Sequence, residues 1–119
     1  MGLWSPVTRN SSKLRYILSD LVQVGKIDES TALAATVQHN LVQRLRSEYD
    51  DVGDLGVKQG PFYVLVGAYM PCVLVETSFV NHPTEGPRLA GSRYQRAVAE
   101  GLAAGVEGFL ASARRARTL

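Results

Sequence analysis

The chain has 119 residues, of which 45% are hydrophobic and 20% charged. This composition fits one globular domain or part of one, and it excludes a disordered, collagen-like or disulfide-rich chain. Thirteen Lys and Arg against 11 Asp and Glu leave a net charge of +2, too small to argue for a nucleic-acid partner.

Residues 1–12 read as an irregular segment, with Pro6, Asn10 and the pair Ser11-Ser12. Nothing at the start has the basic-then-apolar form of a signal peptide. Leu14, Ile17, Leu18, Leu21 and Val22 then recur at helical spacing, with Ser11 or Ser12 as the cap and Gly25 as the stop. A second helix is predicted from the acidic entry Asp28-Glu29-Ser30 to about Tyr49, with Leu33, Val37, Leu41 and Leu45 as its apolar stripe. Asp50 to Gly60 is rich in Asp and Gly and reads as a loop.

Two β-rich runs follow, Phe62 to Val66 and Cys72 to Thr77. Only Gly67 to Pro71 separates them, too short for a parallel crossover, so direct pairing would be antiparallel. The second run is apolar on both faces and reads as a central, covered strand. After a loop over 78–91, Ser92 caps the last helix, whose stripe is Tyr94, Val98, Leu102 and Val106. Gly101, Ala104, Gly105 and Gly108 lie beside that stripe, and glycine in a helix interior implies a close approach to another element. Arg114, Arg115 and Arg117 make a basic end that suits the helix C-terminal dipole.

The expected class is therefore α/β, in the order helix-helix-strand-strand-helix. The division is an irregular 1–12, a domain segment 13–113 and a basic tail 114–119. Two strands alone do not make a stable sheet, so this pattern reads as the second half of a larger α/β domain. No apolar stretch approaches the roughly 20 residues of a membrane span.

Few residues carry chemistry. Glu76 ends the second apolar run, and in open α/β sheets ligands gather beyond the carboxyl ends of strands. A carboxylate there can serve as a general base, or it can cap a turn or pair with an arginine. His39 and His82 are the two histidines, with no helical His pairing, so no self-contained zinc site is expected. Cys72, the single cysteine, permits no internal disulfide and reads as an inert thiol in apolar surroundings.

The run LGVKQGPFYVLVGAYMPCVLVETSFVNHPTE, Leu55 to Glu85, resembles the C-terminal half of the zinc-dependent N-acetylmuramoyl-L-alanine amidases of the third type, the bacterial cell-wall amidases. Upstream, Glu29-Ser30-Thr31-Ala32-Leu33-Ala34 resembles the family's Glu-Ser-x-x-Leu-Ala helix. Downstream, Leu89 and Tyr94 to Gly101 resemble its last helix. The likeness spans about residues 14–111.

The resemblance implies a mixed six-stranded sheet flanked by helices. It implies a zinc held by two His and one Glu of the N-terminal half, none of which maps onto this chain. The family's catalytic Glu maps onto Glu76. Zinc-activated water, with Glu76 as general base, would hydrolyse the amide between N-acetylmuramic acid and L-alanine of the stem peptide. Peptidoglycan is the implied substrate, and the periplasm or the extracellular envelope the implied location. The missing N-terminal half is an implied partner, without which the chain is expected to be inactive. The alternative reading is a non-catalytic remnant that binds a partner or the cell wall. Two departures stand out. Ser78 takes a position where the family often has Gly, and Asn81-His82-Pro83 replaces the usual Ser-Asn-Pro.

Overall fold

The computed structural model describes residues 6–118. Helix α1 runs Pro6–Arg46, α2 is the short Glu85–Leu89 and α3 runs Ser92–Arg117. A single 3-10 turn, Tyr63–Leu65, lies in the long connection between α1 and α2.

The core is an antiparallel helix pair. Gly108 lies against Thr36, Gly105 against Val37 and Gly101 against Leu41, so α3 lies antiparallel to the second half of α1. Leu41, Leu45, Tyr94 and Ala97 form the buried centre, with Ala97 completely enclosed. Val37 and Val42 are buried beside it. Tyr49 packs edge-on against Tyr94 at 5.6 Å between ring centroids. A charged seam runs along one side: Arg44 bridges Glu48 and Glu100 at 2.7 and 2.8 Å, and Arg93 reaches Glu48 at 2.7 Å.

The α/β expectation is not met, because no strand occurs among the described residues. The first apolar run turns into the 3-10 segment, between Pro61 and a left-handed Gly67 at φ 86°. The second takes no regular secondary structure and pairs with no other strand among the described residues. Its amide at Cys72 is taken by the Ser30 side-chain oxygen at 3.0 Å. Extended backbone becomes a sheet only where another backbone edge offers ladder partners, and α1 and α3 present side chains instead. Nor is the run covered, since Leu74 is exposed and Cys72, Val73 and Val75 are half-buried.

Three further expectations are corrected. Gly25 does not end a helix; α1 runs through it, because glycine lowers helix propensity by only about 1 kcal/mol and blocks nothing. Residues 6–12 continue that helix, so neither serine caps it, and residues 1–5 lie outside the described part. In α3 the face turned to α1 carries Tyr94, Ala97, Gly101 and Gly105, while Val98 and Leu102 flank it and Val106 is exposed. Small residues win that face because they let the two backbones approach.

About 41 residues at 1.5 Å each make α1 roughly 60 Å long. The 26-residue α3 covers only its second half. The first half presents Leu14, Ile17, Leu18, Leu21 and Val22 to solvent, all more than half exposed. The predicted stripe there is real as a pattern but lies off the core of the helix pair.

Candidate functional site

Glu76 lies in the connection between the 3-10 turn and α2, where Val75 and Thr77 touch residues at the end of the helix pair. Val75 packs against the buried cluster, and its neighbour Glu76 is exposed. The next residue is fixed by its carbonyl: the Tyr94 hydroxyl donates to Thr77 O at 3.2 Å. The same hydroxyl shares a 2.6 Å hydrogen bond with Ser78 Oγ. Ser78 Oγ also lies 2.6 Å from Thr77 O, and the two hydroxyl protons fill two of these three contacts at a time.

Glu76 borders a shallow cleft of about 70 Å³, together with Asp51, Thr77, Glu85, Arg88 and Tyr94. Arg88 ties this cleft to the loop after α1. Its Nη2 donates to Asp51 Oδ1 at 2.9 Å, and its guanidinium sits 4.5 Å from the centre of the Tyr49 ring. The hydrogen bond from Arg88 holds the Asp51 carboxyl below its usual range, against the opposing effect of desolvation.

The turn beyond Glu76 closes on itself. His82 Nδ1 accepts from the amides of Thr84 and Glu85 at 3.2 and 3.1 Å. Glu85 Oε2 accepts from the Phe79 amide at 3.3 Å. His82 thus shapes the turn at the position where the resemblance places an Asn. His39 is exposed on α1, remote in sequence and element from this turn.

Chemically, Glu76 is the cleft carboxylate that takes part in no hydrogen bond or ion pair among the described residues. Asp51 is engaged by Arg88, Glu85 by the Phe79 amide and His82 Nδ1 by two amides. No three His, Cys, Asp or Glu side chains converge as metal ligands among the described residues. The residues present therefore do not fit the zinc that the resemblance implies. The sequence points to Glu76 by resemblance but not to its surroundings: Tyr94 reads there as one apolar member of a stripe, and nothing marks Arg88 or Asp51. The available signal was a tyrosine at the start of a helix face otherwise built of Ala and Gly, since a buried tyrosine hydroxyl needs a partner.

Similarity to known proteins identifies the class. Residues 16–108 match the N-acetylmuramoyl-L-alanine amidase family, and the chain belongs to it. Among relatives, it is 33% identical over 95 residues to the N-acetylmuramoyl-L-alanine amidase AmiA of Escherichia coli (strain K12), covering 78% of this chain and 30% of that protein. It is 30% identical over 82 residues to the uncharacterized protein YqiI of Bacillus subtilis (strain 168), covering 69% of this chain and 37% of that protein. An uncharacterized cell wall amidase of Bacillus anthracis is 34% identical over 80 residues, covering 67% of this chain and 14% of that protein. The chain thus spans between 14% and 37% of the length of these three relatives. No solved structure matches it. Among the described residues, no helix is long and apolar enough to cross a membrane.

Proposed function

We propose that this chain supplies the Glu76-bearing part of a peptidoglycan amidase of the cell envelope. The reaction is hydrolysis of the amide between N-acetylmuramic acid and L-alanine of the stem peptide. The observation that carries this reading is Glu76 itself. It is an exposed carboxylate at the edge of a cleft, set between two anchored neighbours, in a chain of the amidase family.

Glu76 acts as the general base. It takes a proton from the attacking water as the water oxygen bonds to the carbonyl carbon. It returns the proton to the nitrogen as the C–N bond breaks, so the products are a carboxylic acid and an amine. No group of side chains that could hold zinc occurs among the described residues. Holding the metal falls to a zinc-binding part outside this chain, and the chain alone leaves peptidoglycan intact. The exposed apolar face of Leu14, Ile17, Leu18 and Leu21 is a surface that such a part would cover, since contiguous exposed apolar area marks an interaction site.

The test is a graft. The segment of the Escherichia coli amidase that aligns with this chain is replaced by this chain's residues, and stem-peptide release from purified peptidoglycan is measured. Zinc content and circular dichroism report folding. A folded graft should release stem peptide, and Glu76→Gln should lower the rate by about 10²-fold or more. Full activity of the Gln variant overturns the role of Glu76. A folded, zinc-loaded graft that binds peptidoglycan without cleaving it indicates a binding module instead.

A further inference from the structure

We infer that Tyr94 is a positioning residue for Glu76, acting through the Thr77 carbonyl and the Ser78 hydroxyl; this rests on the general-base role of Glu76 proposed above. Among the described residues the segment that carries Glu76 pairs with no strand, so no ladder of backbone hydrogen bonds from them sets its path. Something else must fix the residue, or its carboxylate would sweep a wide volume.

The fixing is done on both sides of Glu76. On one side the half-buried Val75 packs against the buried cluster, which sets the depth of the segment. On the other side three close oxygens set its rotation, with two hydroxyl protons shared among the contacts Tyr94 Oη to Thr77 O at 3.2 Å, Tyr94 Oη to Ser78 Oγ at 2.6 Å and Ser78 Oγ to Thr77 O at 2.6 Å. The Thr77 carbonyl lies on the second peptide bond after the Glu76 Cα, so these contacts limit the backbone torsions that aim the Glu76 side chain. The anchor itself is rigid. Tyr94 is only 5% exposed, its ring is held edge-on by Tyr49, and its helix is locked to α1 through Ala97 and Gly101. The hydroxyl is the part of Tyr94 that this role uses, whereas the ring serves the core. The two can be separated by one oxygen atom.

The experiment is nuclear magnetic resonance on the full chain, comparing wild type with Tyr94→Phe and, as a second variant that leaves the core untouched, Ser78→Ala. Three-bond couplings report the Glu76 χ1 rotamer, the Thr77 carbonyl carbon shift reports its hydrogen bond, and thermal melting reports the fold. The expected result is one dominant Glu76 rotamer in the wild type and averaged couplings in both variants. The Thr77 carbonyl resonance should move upfield in Tyr94→Phe while the helix content is kept. A Glu76 rotamer distribution that is the same in wild type and Ser78→Ala, or in a folded Tyr94→Phe, overturns the inference. None of these readouts needs amidase activity, so failure of the proposed reaction shows up separately, in the graft.

Discussion

Gly105 of α3 lies so close to Val37 of α1 that a Cβ on the glycine would stand 2.6 Å from the Val37 Cα. Gly101 meets Leu41 almost as tightly, at 2.9 Å from its Cα. In both cases the obstructing atom is backbone, which cannot swing aside as a flexible side chain would.

Gly105→Ala should therefore destabilise the chain, although alanine is the better helix former. The propensity gain is about 1 kcal/mol. Forcing the helices apart costs about 1–3 kcal/mol and also loosens the packing around Val37. A denaturant titration should show a lower midpoint. A higher midpoint would mean that the two backbones are not in contact at this register. Gly25, with nothing within 4 Å of its Cβ position, is the control: Gly25→Ala should be neutral or stabilising.

The charged seam makes stability depend on pH. Hydrogen bonds from Arg44 and then Arg93 lower the pKa of Glu48, with burial opposing. Arg44 moves the opposite way, raised first by Glu48 and then by Glu100. For a carboxyl group depressed in the folded state, the stabilisation is complete above its unfolded pKa. It is lost as pH falls through the folded value. The denaturation midpoint should hold steady near neutrality and decline below about pH 5. Glu48→Gln should flatten part of that decline, and added salt should weaken it, because these charges are in reach of solvent. An acid limb identical in Glu48→Gln would assign the pH dependence to other carboxylates, Asp51 with Arg88 foremost.

How much of this was legible beforehand depends on the range of the interaction. Val37, Leu41 and Leu45 were readable as a buried stripe, because helical periodicity is local and the partner helix needs only to be apolar. The glycines of α3 were readable as a close approach, because glycine inside a helix has few other uses. The strands were not readable. Phe62 to Val66 and Cys72 to Thr77 have strand composition, but a strand exists only when another edge pairs with it, and composition is silent on that. Glu76 stands out in the sequence through the family resemblance and its place at the end of an apolar run. Its support by Tyr94 was hidden, since a contact across 17 residues between a loop carbonyl and a helix leaves no periodic trace.

The turn after Glu76 gives a direct test of a departure from the family pattern. His82 Nδ1 accepts two consecutive amides, as a side-chain oxygen does at a helix N-terminus. His82→Asn, the residue usual at this place by resemblance, retains an acceptor and should leave the melting temperature nearly unchanged. His82→Ala removes it and should cost about 1 kcal/mol. Equal losses in both variants would show that the imidazole ring is needed for packing and not as an acceptor.

The two halves of α1 can be told apart with one residue type. Leu41 is 5% exposed and touches α3, whereas Leu21 is 62% exposed. Leu41→Ala empties part of the core and should cost about 2–5 kcal/mol. Leu21→Ala removes little buried area and should stay within about 0.5 kcal/mol. The same pair of variants reports on what the open face does. In a complex with the zinc-binding part proposed above, Leu21→Ala should weaken association by roughly tenfold, the effect of losing one well-buried aliphatic contact, while Leu41→Ala acts only through folding. Isothermal titration of the two parts, alongside melting of each variant alone, separates the cases. An unfolding cost at Leu21 equal to that at Leu41 in the isolated chain would mean that the first half of α1 packs on this chain after all.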